Sequence, residues 1–520
     1  MMNGCCFKLD RKTFPVLAYT RMNTLFKTIF GSSMLLFGSW SAVSALELDS
    51  CYGDHMVLQR GCPVTISGTA TSSKPIQVTF GKQKVAAQMK GKKWRAKLAP
   101  MEANAEGQEL TVTQGKESVT LRDVVVGEVW IASGQSNMLW RVNQTPGNQQ
   151  TIAQSANDNL RFFHSEPKVH TNHAVYNEDL MTRLKENRMY EGNWAVSAPA
   201  TTPRMSAVGY YFGQKLQELL GVPVGIIHCA LGGSEMLAWV PEKVVRKKYK
   251  ACLGDGWLES KYISEWVRGR ARKNMGADPK SPHPYKPAYL FESGLAKWTG
   301  YPVAGAIWYQ GESDAELQDM QQNTQLLTDL INSWRAAFKS SQMPFLMVQL
   351  PRINDNTPLR KFWPEFRTVQ ANVAAAMPGV ECLTTVDLGS TNSDVHPPRK
   401  VEVGERLAAL AAAKVYGKEV PFSGPAMVSC TPSGKEITVK FDHAAGLSTT
   451  DGQAPRHFEI AGSNGKFQPA DARIEGDSVI LSSDKVSAPK QARYAWATYL
   501  TPNLVNADKL PAVPFVYEGK

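Results

Sequence analysis

Cysteine is sparse in this chain and is not patterned for metal binding. The 520 residues include eight cysteines, with no CxxC pair and no zinc-ligand spacing. A structural zinc site is therefore excluded, and no metal or other cofactor is expected. Long apolar runs are also lacking. Beyond one stretch near the N-terminus, nothing is long and apolar enough to cross a bilayer, so no membrane span is expected. Charged residues make up only 20%. The densest basic clusters, "VVRKKYK" and "VRGRARK", stand beside no nucleic-acid motif. They read as solvated helix faces, and nucleic acid is not an expected partner. No internal repeat is strong enough for a solenoid or propeller.

What is present fits a globular protein of two to four domains, with hydrophobic residues at 43%. Met22 opens "MNTLFKTIFGSSMLLFGSWSAVSA", in which Lys27 precedes an apolar stretch and Val43-Ser44-Ala45 supplies small residues. That order predicts a signal peptide cleaved after about Ala45, preceded by an upstream extension, and an exported, periplasmic or extracellular protein. Residues 1–45 contain five basic residues and one acid, so their removal lowers the net charge from +11 to +7. Six cysteines lie beyond Ala45. An exported chain permits disulfides, and Cys51 and Cys62 are placed to pair across a hairpin. Cys229 and Cys382 end apolar runs and read as buried free thiols.

Residues 46–125 alternate apolar and polar positions in short pieces, such as "PVTISGTA" and "IQVTFG", which predicts a β domain of the sandwich type. The same pattern returns over residues 421–520 in "EITVKFD" and "HFEIAG". Residues 126–420 differ. Five short apolar runs, "VGEVWIAS", "VPVGIIHCA", "VAGAIWYQ", "PFLMVQL" and "CLTTVDL", read as strands buried on both faces. Helical patterns separate them: one capped by Ser206, one carrying Leu317 to Phe338, and one opening at Pro364. Strands alternating with helices predict an α/β fold with a doubly wound parallel sheet.

In such sheets ligands sit beyond the carboxyl ends of the strands. The first run ends in Gly134-Gln135-Ser136-Asn137, the second in Leu231-Gly232-Gly233-Ser234, and the third in Gln310-Gly311-Glu312-Ser313-Asp314. The fifth is followed by Asp394-Val395-His396-Pro397. A hydroxyl, a glycine pair, an amide and an imidazole thus share one edge. They are the parts acyl transfer requires: nucleophile, backbone donors, a further donor and a general base. Each has a plainer reading. Ser136 can be a turn serine, Gln310 can satisfy backbone groups, Glu312 can cap the next helix, and His396 can be a loop residue. Their co-occurrence at successive strand ends favours function.

Met138 occupies the place of the second glycine of a G-x-S-x-G elbow, which argues against the α/β-hydrolase family. The chain instead resembles the SGNH (GDSL-like) hydrolase superfamily, and within it the sialate O-acetylesterase family. The resemblance rests on "GDHMVLQR", "VGEVWIASGQSNM", "SAVGYYFG", "GGSEMLAW", "GAIWYQGESDAE" and "DVHPPRKVEVGERLA". It implies an SGNH-type catalytic domain over 126–420 between the two β modules. It also implies Ser136 as nucleophile and His396 as base. The oxyanion hole would combine the Ser136 N–H with Gly232 or Gly233. The family's third donor is often an asparagine; "QGESD" has none, which leaves Gln310 as the candidate. Asp394 stands two residues before His396 rather than the usual three. Either its carboxylate orients the ring, or a backbone carbonyl does so in a Ser–His dyad. Asp54 and His55 read as structural. The implied substrate is an O-acetylated sialic acid on a glycan. An acetylated polysaccharide such as xylan is the alternative, and a non-catalytic glycan-binding protein is the competing class. The oligomeric state is left open.

Overall fold

The computed structural model describes residues 46–519 except 173, 277 and 279, so the leader expected over 1–45 lies outside the described residues. One strand organises the rest. β1 (Glu117–Gly134) is 18 residues long, and its first half pairs antiparallel with Asn104–Gln114 and parallel with Val57–Gln59. Its second half is flanked on both sides by parallel strands. Five further parallel or edge strands join it there: β2 (Asn157–His164), β3 (Trp194–Ser197), β4 (Val224–Ala230), β5 (Gly305–Tyr309) and β6 (Phe345–Val348). With β7 (Val380–Leu383) the order across the sheet is β3-β2-β4-β1-β5-β6-β7. Every pairing along it is parallel except β3 on β2. The boundary expected at 125/126 therefore falls inside a continuous strand.

The sheet is covered on both faces, and the residue alternation shows how. Val129 and Ile131 of β1, Trp308 of β5 and Met347 of β6 join one buried cluster with α3 (Met320–Ala337) and α4 (Trp363–Ala376). Trp130, Ala132, Ile307 and Leu346 join the other, with α1 (Ala207–Leu220) and α5 (Lys400–Lys414). Burial on both sides is why these strands read as unbroken apolar runs. The helix signals act locally as their chemistry requires. The Ser206 hydroxyl accepts from the Gly209 N–H at 3.1 Å, and Gly221 closes α1 with φ 68°. α3 begins at Met320, capped by Asp319, so Leu317 precedes it.

The C-terminal residues form two four-stranded antiparallel sheets. Their inward side chains, including Ile437, Val439, Leu481, Phe458, Ile460 and Tyr494, make a third cluster. All six described cysteines are unpaired, which corrects the expected Cys51–Cys62 bridge. Cys51 is buried, its carbonyl held by Trp194 Nε1 at 3.0 Å, while Cys62 is half-buried in a turn. Among the described residues no helix is long and apolar enough to cross a membrane.

β1 ends at Gly134 with φ 141°. A Cβ there would overlap the Tyr309 carbonyl oxygen, so only glycine fits. The chain then turns while Gln135 N–H still bonds Tyr309 O at 3.0 Å, and Ser136 opens a single helical turn, Ser136–Leu139. Gly134→Ala should destabilise the fold by about 3 kcal/mol, combining backbone strain with overpacking. A urea midpoint lowered by that free energy divided by an unchanged m-value checks it.

Candidate active site

A cavity of about 480 Å³ opens where β1, β4 and β5 end, and its wall includes Ser136, Gly232, Gly233, Glu312 and His396. The loops after three strands and the segment after β7 thus converge as the topology requires. Gly232 stands close beside the serine: a Cβ on it would lie 3.5 Å from Ser136 Cβ. Among the described residues, the N–H groups of Ser136, Gly232 and Gly233 donate to no protein acceptor. Three unspent backbone donors next to one hydroxyl form a ready site for a developing negative charge.

His396 lies across the cavity, its ring stacked on Trp140 at 5.9 Å. Its Nδ1 meets Asp394 Oδ1 at 3.0 Å, and the same oxygen accepts from the His396 backbone N–H at 2.9 Å. The second contact explains how a two-residue spacing suffices. An Asx turn curls the Asp394 carboxylate over residue i+2, and the imidazole comes down onto the same atom. Ser136 Oγ and the His396 ring share the cavity without a hydrogen bond between them, as is common before substrate binds.

Gln310 does not line the cavity. Its amide Nε2 donates to Ser234 O at 3.2 Å and to the buried Asp314 carboxylate, so it braces the glycine loop from behind. That spends the donor expected for the oxyanion. Two amides are on the cavity wall, Asn172 and, next to the serine in sequence, Gln135. Its Oε1 accepts from Gly311 N–H at 3.3 Å, which leaves Nε2 with no partner among the described residues. Asp54 accepts from Arg122 N–H at 2.7 Å and His55 pairs with Asp123 at 2.7 Å, and neither lines the cavity.

Two residues missed by the sequence reading hold the site together. Asn137 Nδ2 donates to Glu312 and, at 2.9 Å, to the carbonyl of Val395, the neighbour of His396. Asn137 Oδ1 accepts from Lys400 Nζ at the start of α5. The lysine is fully buried, with its ammonium 5.4 Å from the Tyr309 ring centre and 5.5 Å from that of Trp140. Burial lowers its pKa to about 7 against the pull of Glu312 and Asp394. Burial likewise raises the Glu312 carboxyl above its usual range, partly offset by Asn137. Both residues stood inside quoted motifs, Asn137 beside Ser136 and Lys400 four residues after His396.

The family model "Carbohydrate esterase, sialic acid-specific acetylesterase" matches residues 126–256 and 260–413, more than half of the chain. The chain belongs to that family. It is similar to the sialate O-acetylesterase of Mus musculus, 24% identical over 94% of this chain and 97% of the relative. The Homo sapiens sialate O-acetylesterase is also 24% identical, over 93% and 94%. A carbohydrate acetylesterase from Xanthomonas citri has a similar structure, with TM-score 0.74 and 29% identity over 91% of this chain and 99% of the other. The protein is therefore a carboxylic ester hydrolase of mixed α/β fold, and O-acetyl ester hydrolysis is its supported chemistry.

The buried lysine gives this esterase a testable pH signature. Lys400 has a folded-state pKa of about 7, well below the roughly 10.4 of an unfolded lysine. Between those values the unfolded chain holds the extra proton, so the lysine's penalty is full below about pH 7 and is relieved as pH rises toward about 10. Relative to Lys400→Met, the wild type should gain about 2 kcal/mol or more over that window. Paired urea melts at pH 7 and pH 9.5 measure the difference.

Proposed function

We propose that this protein is a serine esterase that removes O-acetyl groups from sialic acids on glycans, with Ser136 as nucleophile, His396 as base and Asp394 as orienting acid. One observation carries the reading. Ser136, three unspent N–H groups and His396, whose ring meets Asp394, come together at a single cavity at the strand ends. The strand order β2-β4-β1-β5-β6-β7 suits the SGNH-type doubly wound sheet, flanked by sandwich-type β modules. The leader reading belongs to the same proposal, with the mature, exported chain beginning at Leu46.

His396 Nε2 takes the proton of Ser136 Oγ as the Oγ–C bond forms at the acetyl carbon. The carbonyl oxygen, now anionic, is received by the N–H groups of Ser136 and Gly232 or Gly233, with Gln135 Nε2 as the amide within reach. Asp394 holds the ring's tautomer and stabilises the imidazolium. The imidazolium returns the proton to the sugar oxygen as its C–O bond breaks. Water, deprotonated by the same ring, then clears the acetyl-enzyme.

A sialic acid also brings a carboxylate, and two arginines line the cavity. Arg360 is held by Glu316 at 3.0 Å and Asp355 at 3.4 Å. Arg270 lies with its guanidinium 4.4 Å from the centre of the Trp266 ring, and both are on the wall. Arg270 is the cation we assign to the carboxylate, with Trp266 as a platform for the sugar. Arg270 sets sialate apart from neutral acetylated polysaccharides such as xylan.

Ser136→Ala should abolish release of acetate while leaving the melting temperature nearly unchanged; activity within about tenfold of wild type would refute the nucleophile. Asp394→Asn should lose on the order of 10²-fold or more in kcat with KM little changed, whereas a loss below about fivefold would decide for a dyad. The substrate assignment is tested separately. Arg270→Met should lower kcat/KM for O-acetylated sialoglycan by about tenfold or more, roughly one charge-assisted hydrogen bond, beyond whatever loss it causes on p-nitrophenyl acetate. Acetate release from acetylxylan equal to that from sialoglycan would favour the polysaccharide reading.

A further inference from the structure

The glycine loop is held by a residue outside every quoted motif. Tyr285, in the long segment between β4 and β5, is buried and donates its hydroxyl hydrogen to the Gly232 carbonyl at 2.8 Å. The Tyr285 hydroxyl oxygen lies 2.6 Å from Thr171 Oγ1. A phenol has one hydrogen and a carbonyl can only accept. The Tyr285 hydrogen is therefore committed to Gly232, and Thr171 must be the donor in the second bond. The Arg270 guanidinium stands beside the same hydroxyl and, with Thr171, pulls against the burial that lifts the phenol to about 12.

Tyr285 is itself firmly placed. Its backbone N–H donates to His283 Nδ1 at 3.0 Å, and His283 Nε2 meets Asn274 Oδ1 at 3.1 Å. His283 is fully buried, and burial lowers its pKa to about 3, so the ring is neutral. Nδ1 accepts, and Nε2 carries the hydrogen. Asn274, at the end of α2 (Glu265–Met275), donates in turn to the carbonyls of Asn172 and Ala174 next to Thr171. Both hydroxyls of the relay are thus tied to one frame. Gly233 has φ 72°, and a Cβ on it would run into the Tyr285 hydroxyl.

We infer that Tyr285, supported by Thr171, is the positioning residue of the oxyanion hole, and that it fixes the Gly232–Gly233 peptide so that the Gly233 N–H faces the anion. In a trans peptide the C=O and N–H point in opposite directions. Pinning the Gly232 carbonyl on Tyr285 turns the Gly233 N–H to the other side, where it finds no protein acceptor among the described residues. A hydrogen bond to the carbonyl also polarises the amide and strengthens its N–H as a donor, by about 10–30% in chains of this kind. Because Thr171 lines the cavity and meets the Tyr285 hydroxyl at 2.6 Å, the wall that meets the sugar is in contact with the hole that meets its ester.

The inference rests on the oxyanion-hole reading above, and the experiment separates the two. Kinetics on p-nitrophenyl acetate and inhibition by methylboronic acid, whose serine adduct is a tetrahedral anion, are measured for wild type, Tyr285→Phe, Thr171→Val and Ser136→Ala. Tyr285→Phe should lose between about 10- and 100-fold in kcat, short of the 10²–10³ for deleting an oxyanion donor outright. KM should stay within about twofold and the boronate inhibition constant should rise in step with the loss, a link a purely structural role would not produce. Thr171→Val should show the same pattern more weakly. Kcat or boronate affinity within about twofold of wild type for Tyr285→Phe, with Ser136→Ala inactive, overturns the positioning role alone. Activity retained in Ser136→Ala, or no boronate inhibition of wild type, overturns the site reading beneath it.

Discussion

β1 is the element on which the other parts of the molecule converge. Its first half pairs with N-terminal strands and its second half is the centre of a parallel sheet, with neighbours on both edges and helices on both faces. Such a strand has almost no freedom to shift, because a one-residue slip would exchange the contents of its two clusters. The anchoring continues upstream. Buried Glu128 accepts from Arg60 at 2.5 Å, Gln59 at 2.8 Å and Tyr416 at 2.9 Å, which ties the strand to both the module before it and the segment after α5. Ser136, two residues past the strand end, inherits that rigidity. A nucleophile needs placement to within about half an ångström, and here the sheet supplies it.

A buried polar network does for the histidine segment what the strand does for the serine. The segment around Asp394 and His396 has no regular structure, and its residues are partly exposed. Its position is set through the Val395 carbonyl, on Asn137, and through Lys400, which starts the next helix. A lysine and a glutamate bridged by an asparagine in a closed interior are costly to assemble and costlier to disturb by halves. They are compatible here because burial pushes both groups toward neutrality. The site is thus rigid on two sides for different reasons: hydrogen-bonded strands on one, a shared set of protons on the other.

The strands flanked by helices were legible because burial on both faces leaves a plain apolar run. β2 was not, since "NDNLRFFH" is polar at five of its eight positions and gains its pairing with β4 only in three dimensions. Ser136, His396 and the glycine pair were legible from their places at strand ends. Asp394 was named, but its reach depends on an Asx turn that spacing alone leaves open. Gln310 was misplaced because a sequence gives the residue type and not the direction of its amide. Gln135, Asn137 and Lys400 were within view, without the contacts that give each a task. Tyr285 carried no signal, lying some fifty residues from the glycine whose carbonyl it holds.

β1 also imposes an order of assembly. During synthesis, the partners of its first half, Val57–Gln59 and Asn104–Gln114, leave the ribosome before it. The partners of its second half, β4 and β5, are not complete until residues 230 and 309. For that interval the apolar second half of the strand waits with both edges open, held only through the pairings of its first part. Long-range parallel pairing of this kind is slow and exposes strand edges to wrong partners. Early pairing with Val57–Gln59 and Asn104–Gln114 therefore holds one end of the strand that leads to Ser136 while the partners of its other end are still being made.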